Sequence, residues 1–158
     1  MEEYSQKPED KARHKLINPN LIKAGWEIQS YKNANVRSAK GVAVEFFKIG
    51  KEEADYVLFV NEEAIGIIEA KKEGVTLIGK EFQSNRYAKE FPKEFRSIDL
   101  PLPFIYETNG NENRFTNLWD PKPRSRFVFS FHKPEYFEEL IKYPKETLRS
   151  RLIKMPPV

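Results

Sequence analysis

Three charged residues of types suited to acid–base and metal chemistry lie at the ends of two neighbouring apolar runs. Asp55 begins the first run (55–60), and Glu69 and Lys71 end the second (64–71). Both runs are rich in β-branched and aromatic residues and are separated by a short polar segment, which is typical of a β-hairpin. Because a hairpin places the start of its first strand beside the end of its second, we expect the three charged side chains to meet.

The chemistry of such a trio follows from charge and ligand preference. Two neighbouring carboxylates favour a cation between them, and Mg²⁺ takes oxygen ligands, typically one or two carboxylates with waters and phosphate oxygens. A metal there would polarise a phosphoryl oxygen and lower the pKa of a water. Alternation along a strand predicts that four side chains share one face: Ile65, Ile67, Glu69 and Lys71. Lys71 would then orient the attacking water or stabilise charge that develops on the phosphate.

The trio therefore predicts a metal-dependent phosphodiesterase centre made of Asp55, Glu69 and Lys71. The alternative interpretation is an ordinary solvated strand end. A Glu-x-Lys triplet arises often by chance in a chain with 32% charged residues, so the spacing alone is not specific.

A second signal lies shortly after the hairpin, in a helix predicted from about residue 76 to 91. Gln83 and Tyr87 are four residues apart, so they share one helical face. An amide and a phenol can both hydrogen-bond to phosphates or base edges. The alternative is a partly buried tyrosine beside a solvated glutamine.

Composition narrows the class of protein. At 158 residues with 39% hydrophobic residues, the chain is long enough for one domain with a substantial core and too short for two ordinary ones. It has no cysteine and two histidines, which excludes a disulfide framework and a structural zinc site of four Cys or His ligands. No apolar run approaches the roughly 20 residues of a membrane span, so we expect a soluble, cytoplasmic protein without membrane contact.

The net charge of the chain is compatible with nucleic-acid binding but does not establish it. The net charge is +3 and the pI is near 8.9, which is compatible with a local DNA-binding patch. One basic loop, 121–126, carries Lys122, Arg124 and Arg126. An ordinary solvated surface is the favoured interpretation of this loop, and phosphate contact is the alternative.

Periodicity and breakers predict an α/β fold with a central mixed sheet flanked by helices. A helix begins near Pro8 and is interrupted at Asn18-Pro19, Asn20 caps a second segment, and a final helix begins near Pro134. Strands are expected at 26–31, 42–47, 104–108, 114–119 and 127–131, besides the central hairpin, with a turn at 109–110 and a further helix at 145–153. Residues 1–7 form a flexible N-terminus, 8–153 a single domain and 154–158 a linker-like tail.

The order Asp, hairpin, Glu-x-Lys and Gln-x-x-x-Tyr resembles the PD-(D/E)xK nuclease superfamily. Within it, the chain resembles the N-terminal nuclease domain of the restriction (motor) subunit of type I restriction enzymes. Most of the chain is covered, and the most specific part is Glu69 to Gly74 followed by the helix with Gln83 and Tyr87. Two departures are Ala54, where the superfamily has its namesake proline, and Glu53, where this subgroup often has a basic residue.

The resemblance implies a restriction-endonuclease-like fold and Mg²⁺-dependent hydrolysis of DNA phosphodiester bonds, with Mn²⁺ as a substitute metal. Asp55, Glu69 and the backbone carbonyl of Ala70 would hold the metal. Lys71 would position or activate water.

Further site residues are implied in the same way. Gln83 and Tyr87 would position the DNA strand near the cut. A first-helix glutamate of the family points towards the metal, and Glu9 matches it best, with Asp10 as its close rival.

The resemblance also implies partners. These are double-stranded DNA, helicase-like motor domains in a longer chain, and methyltransferase and specificity subunits. The chain has no Gly-x-x-x-x-Gly-Lys-Ser/Thr loop, so ATP would be bound by the full-length subunit and not by this chain. The chain would then be a fragment of a larger ATP-dependent translocating subunit.

Two alternatives stay open at this point. One is a non-catalytic module of nuclease-like fold that holds DNA or docks a subunit. The other is a standalone repair or junction nuclease of the same superfamily.

Overall fold

The secondary structure follows the predicted alternation of strands and helices, over the residues that the computed structural model describes, 8–72 and 90–142. In chain order the elements are α1 (Pro8–Lys23), β1 (Glu27–Ser30), a 3₁₀ helix (Tyr31–Asn33), β2 (Gly41–Ile49), β3 (Glu52–Val60), β4 (Glu63–Ala70), β5 (Arg96–Ser97), β6 (Phe104–Thr108), β7 (Asn113–Asn117), β8 (Arg126–Val128) and α2 (Pro134–Lys142).

The strands form one mixed sheet in the order β1-β2-β3-β4-β6-β7-β8, with β5 paired to β4 off this path. The β1–β2, β4–β5 and β4–β6 pairs are parallel, and the other neighbours are antiparallel. The predicted α/β fold with a central mixed sheet flanked by helices is confirmed.

Each face of the sheet has its own apolar cluster. On one face, α1 and α2 contribute Leu21 and Phe137, which are fully buried against strand residues such as Leu58 and Tyr106. The second cluster lies on the other face. There the strand residues Val44, Phe47 and Phe59 pack with Phe91 and Leu102, which lie outside the strands. Because β3 and β4 lie between both clusters, apolar side chains on both of their faces are buried, as is typical of central strands.

The central hairpin is confirmed, and its turn explains the tight connection. Val60 pairs with Glu63, so Asn61 and Glu62 form a two-residue loop. Both have positive φ, 49° and 73°, which is the backbone of a type I′ turn. This turn twists in the same sense as the flanking strands, and therefore holds β3 against β4.

The expectation that Ile65 and Ile67 share a face is wrong. The pairing of β3 with β4 shifts by one residue, since Leu58 pairs with Gly66 but Phe59 pairs with Ala64. Ile65 is the extra residue of this bulge, and it packs in the cluster under the helices, whereas Ile67 packs in the opposite cluster. A bulge reverses the alternation of side chains beyond it, so the face of Glu69 cannot be counted from Ile65.

The alternation of side chains between the two faces is also interrupted in β2 and β3, at facing positions of the two strands. Glu45 pairs with Tyr56 and Phe47 with Ala54, so Phe46 and Asp55 lie between two regular pairs. Phe46 has φ of 52°, a left-handed backbone that a bulky residue rarely adopts. Two consecutive side chains of each strand consequently lie on the α1 side of the sheet: Glu45 and Phe46 on β2, and Asp55 and Tyr56 on β3.

The predicted helix break at Asn18-Pro19 is also wrong, because α1 continues through Pro19. A proline inside a helix removes one backbone hydrogen bond. Its neighbours compensate through the core: Ile17 and Leu21 are buried against the sheet, and the Asn18 Nδ2 atom donates to Glu45 Oε2 at 3.1 Å. Tertiary contacts on both sides of the proline therefore outweigh the local cost.

Several other predictions have clear outcomes. The turn at Asn109-Gly110 is confirmed, with Gly110 at φ of 92°, and so is the final helix, which begins at Pro134. All five further strand predictions overlap observed strands, although β8 ends at Val128. The helices predicted at 76–91 and 145–153 fall outside the described residues, apart from residues 90 and 91 of the first, of which 90 is helical and 91 is a bend. No helix in the described ranges has the length and apolar character needed to cross a membrane.

Candidate active site

The hairpin does bring the predicted trio together. Tyr56 pairs with Ile68, and one step further along both strands lie Asp55 and Glu69. The backbone N–H of Ala70 donates to Asp55 Oδ2 at 2.9 Å, which fixes the carboxylate against the end of β4. The start of β3 and the end of β4 are thus joined by a side-chain bond as well as by the sheet.

Glu69 is the most perturbed acid at this edge. Its Oε2 atom is buried and has no hydrogen-bond partner among the described residues. Burial raises the pKa of Glu69 to about 8, the charges of Asp55, Glu107 and Glu52 add to this, and Lys71 opposes it. Without a cation at the site, the Glu69 carboxyl consequently holds its proton at neutral pH.

Lys71 lies just beyond the end of β4. Its backbone N–H donates to the carbonyl of Thr108 at 2.7 Å, so the residue is anchored to the end of the neighbouring strand β6. Its charge lowers the pKa of Glu69, which places the ammonium within electrostatic reach of that carboxylate. The Lys71 side chain is half-buried.

Asp55 has a second partner that sequence reasoning missed, the buried His14 of α1. His14 Nε2 lies 3.1 Å from Asp55 Oδ1, and His14 Nδ1 lies 2.9 Å from Glu45 Oε2. The imidazole is stacked between Phe46, at 4.1 Å, and Tyr56, at 4.3 Å between ring centroids. The double reversal at Phe46 and Asp55 is what turns these residues towards α1.

The two carboxylates determine the charge of His14. Burial lowers its pKa, but the hydrogen bonds and charges of Asp55 and Glu45 outweigh this, so the pKa is raised above 6.5. A protonated imidazole donates to both acids, which is the arrangement that two flanking carboxylates favour. The raised pKa favours the protonated form of His14, whose hydrogen bond to Asp55 Oδ1 orients that carboxylate.

One sequence signal could have pointed to His14. It lies three residues before Ile17 and seven before Leu21, on the buried face of α1. A histidine on a buried helical stripe needs polar partners from another element. Its partners Glu45 and Asp55 are 31 and 41 residues away in sequence, so spacing could not identify them.

A further acid lies beside the trio on β6. Glu107 is paired directly with Glu69, and its Oε1 atom is buried without a hydrogen-bond partner in the described part of the chain. Arg114 is the paired residue of Glu107 on β7, and its Nη1 atom donates to the Ser125 carbonyl and hydroxyl at 3.1 Å each. A row of charged residues thus continues from the hairpin across the sheet.

The donors of this site fit a divalent ion that keeps most of its water. Among the described residues no group of three or more His, Cys, Asp or Glu is arranged to enclose a metal. Mg²⁺ and Mn²⁺ do not need such a cage, because one or two carboxylates with waters and phosphate oxygens suffice. The Glu69 Oε2 atom, which has no hydrogen-bond partner in the described part of the chain, and the nearby Asp55 carboxylate are oxygen donors of this kind.

Four other predicted site residues cannot be placed in the same way. Gln83 and Tyr87 lie outside the described residues. Glu9 and Asp10 lie in the first turn of α1, and their side chains are outside the described part.

Comparisons with known proteins identify the family and the fold of this chain. The family described as "Type I restriction enzyme EcoKI endonuclease subunit second domain" matches residues 25–119. The chain is 27% identical over 176 aligned positions to the type I restriction enzyme EcoKI endonuclease subunit of Escherichia coli K12; the alignment covers 80% of this chain but only 15% of that protein. A fragment structure assigned to an HsdR subunit of a type I restriction enzyme from Vibrio vulnificus YJ016 shares the fold, with a TM-score of 0.53 and 21% identity over 87% of this chain and 26% of that one.

The family match covers most of the sheet, from the start of β1 to the end of β7, and the expected kinship is confirmed. The chain belongs to the family of the type I restriction enzyme endonuclease subunit second domain.

Proposed function

We propose that this chain is the metal-dependent DNA-cleaving domain of a type I restriction subunit, of the PD-(D/E)xK type. The observation that carries the proposal is Glu69: a buried carboxyl with one oxygen that has no hydrogen-bond partner among residues 8–72 and 90–142, beside Asp55 and Lys71 at one end of the hairpin. A buried acid without a partner destabilises a fold. A function that uses this acid is therefore a better account than packing.

In this mechanism Asp55, Glu69 and the carbonyl of Ala70 would hold Mg²⁺ or Mn²⁺. When bound, the metal would polarise a phosphoryl oxygen and lower the pKa of a water. The Ala70 N–H and His14 fix the orientation of Asp55 through its two oxygens. Preorganised ligands of this kind need no rearrangement when charge develops.

Lys71 would supply positive charge where the phosphate gains negative charge. Its backbone anchor to Thr108 keeps the residue at the end of β4, and its ammonium lies within electrostatic reach of Glu69. Gln83 and Tyr87 would hold the DNA strand, and Glu9 would add an acidic group. These last roles are supported by the resemblance in sequence.

The larger assembly is part of the same proposal. The chain spans 15% of the length of its EcoKI relative. We infer a longer cytoplasmic subunit in which helicase-like domains bind ATP and deliver double-stranded DNA to this domain, together with methyltransferase and specificity subunits.

Calorimetric titration of Mn²⁺ tests the metal site directly. Glu69→Gln keeps the shape of the side chain but removes its charge, and the exposed Glu94→Gln is the matched control. We expect saturable binding by the wild-type and Glu94→Gln proteins and loss of binding in Glu69→Gln. Equal binding by all three proteins would contradict the proposal.

Nicking of supercoiled DNA in the presence of Mn²⁺ extends the test to catalysis. Lys71→Ala should abolish nicking while retaining the metal, because Lys71 is no ligand in this mechanism. Nicking that survives Glu69→Gln would remove Glu69 from the catalytic centre.

One observation favours the second candidate, a non-catalytic module that holds DNA or docks a subunit. Both oxygens of Asp55 already have protein partners, His14 and the Ala70 N–H. A purely structural carboxylate would have the same contacts. Absence of Mn²⁺ binding at Glu69 would favour this alternative.

A further inference from the structure

An open groove lies on the helical side of the sheet, outside the Asp55–Glu69–Lys71 cluster. Its volume is about 1100 Å³. One wall is the C-terminal end of α1, the second is the turn between β6 and β7, and the third is the segment that connects β8 to α2. We call it the aromatic groove and define it by Lys23, Phe127, Phe129, His132, Lys133 and Tyr136.

Large aromatic side chains of this groove are exposed to water. Phe129 is fully exposed, Phe127 is 57% exposed and Tyr136 is 43% exposed. Single exposed apolar residues are ordinary, but three aromatic rings within ten residues on one groove indicate a binding surface. A ligand that covers flat rings would recover the free energy that their exposure costs.

Two of these rings are held in place by neighbours. The Arg114 guanidinium lies over the Phe127 ring, 4.0 Å from its centroid. Tyr136 stacks on His132 with centroids 4.2 Å apart and an angle of 15° between the planes. His132 is fixed in turn, since its carbonyl accepts from Trp26 Nε1 at 2.8 Å and its N–H donates to the Tyr106 hydroxyl. The rings of Phe127 and Tyr136 are therefore in position before any ligand binds.

The charge of the groove is positive. Lys23 and Lys133 are exposed along it and form no ion pair within the described residues. Glu135 also lines the groove, but its carboxylate lies 3.9 Å from the ammonium of Lys40, which offsets its negative charge. The exposed Arg124 and Arg126 of the basic loop lead directly to Phe127 in sequence.

Hydrogen bonds connect the groove to the candidate active site. The Thr108 carbonyl accepts the Lys71 backbone N–H at 2.7 Å. Thr108 also begins the turn that forms the second wall, where its hydroxyl accepts from the Gly110 N–H and donates to Asn113 Oδ1. Gly110 and Asn113 both line the groove. The β6–β7 turn therefore both follows the backbone anchor of Lys71 and lines the groove.

We propose that the aromatic groove binds single-stranded DNA, with bases stacked on Phe129 and Tyr136 and phosphates near Lys23 and Lys133. Exposed rings interleaved with cations match a strand whose base faces are open. Duplex DNA hides those faces and offers mainly phosphates. The choice of DNA rests on the proposed nuclease function, whereas the binding itself needs neither metal nor cleavage.

Fluorescence anisotropy in EDTA with a labelled oligothymidylate of about 15 nucleotides tests the proposal, because grooves of this kind cover roughly 4–16 nucleotides. Phe129→Ala should weaken binding roughly 5- to 150-fold, the usual range for loss of one stacked base. Phe129 is fully exposed, so this variant should fold normally. Leu100→Ala, which also truncates an exposed apolar residue, is the matched control and should bind as the wild type does.

Charge is tested by salt dependence. Lys133→Ala should reduce the slope of log affinity against log salt by about 0.7, the value for one phosphate on a single strand. Lys32→Ala, an exposed lysine outside the groove, should leave the slope unchanged.

The outcomes separate this proposal from the nuclease proposal. The anisotropy assay contains EDTA and therefore needs no bound metal, so failure of the metal site would leave oligonucleotide binding intact. Equal affinity of the wild-type and Phe129→Ala proteins, or tighter binding of a duplex than of the single strand in the same assay, would overturn the groove proposal. If another part of the restriction subunit covers the groove instead, Phe129→Ala will leave oligonucleotide affinity unchanged and lower the stability of the longer subunit.

Discussion

Glu69 should make the metal-free protein less stable as the pH rises, and Glu69→Gln should remove this effect. The unfolded chain releases the Glu69 proton near pH 4.5, whereas the folded chain holds it until about pH 8. Between these values the folded state binds more protons than the unfolded state. The contribution to stability is therefore complete below pH 4.5 and is lost as the pH rises to about 8.

The magnitude follows from the two pKa values. The difference between 4.5 and about 8 corresponds to about 5 kcal/mol at 1.36 kcal/mol for each factor of ten. Most of this range lies between pH 5 and pH 9, where Glu69 should remove up to about 4 kcal/mol from the free energy of unfolding. The charged groups that face Glu69, namely Asp55, Lys71, Glu107 and Glu52, are kept in both proteins.

Urea unfolding in EDTA at pH 5 and pH 9 measures the effect. The wild-type protein should lose several kcal/mol more than Glu69→Gln over this interval, and Glu94→Gln should follow the wild type. His14 contributes in the same direction in all three proteins, so it largely cancels in the differences. Parallel pH profiles for the wild type and Glu69→Gln would refute the inference that Glu69 is a buried, protonated acid.

Two further predictions concern residues that support the candidate site, His14 and Gly66. His14→Ala should lower the free energy of unfolding at pH 6 by about 3 kcal/mol, because it removes two ring stacks and the shared partner of Glu45 and Asp55. The loss should be smaller at pH 9, since a raised His pKa stabilises the fold at low pH and this contribution is lost as pH rises; a loss that grows with pH in urea unfolding would contradict the assignment. Gly66→Ala should destabilise by about 2 kcal/mol or more, because a Cβ there would lie 2.3 Å from the Phe104 carbonyl oxygen. A thermal melting temperature within about 1 °C of the wild type would contradict this.

Local sequence signals were sufficient for the hairpin and for the position of the trio. Two apolar runs rich in β-branched and aromatic residues on both sides of a polar turn identified β3 and β4, and their ends placed Asp55 near Glu69. These features depend on neighbours within about fifteen residues. The positions of the other strands and the start of α2 at Pro134 were accessible for the same reason.

The features that sequence could not reveal depend on distant contacts. Pro19 stays within α1 because Ile17 and Leu21 are packed on the sheet, a contact that no local pattern encodes. The bulge at Ile65 and the left-handed Phe46 change the face of every later residue in their strands. His14 joins the site only through those reversals, since its partners come from β2 and β3.

The paired reversal at Phe46 and Asp55 also limits how this gene can change in length. Deleting Phe46 alone would move the residues on one side of it to the wrong face of the sheet, while β3 would keep its own reversal. Insertions or deletions at this point should therefore be tolerated only when both strands change together. Relatives that lack the reversal should lack it in both strands, and should have lost the pairing of a buried histidine with two acids at the same step.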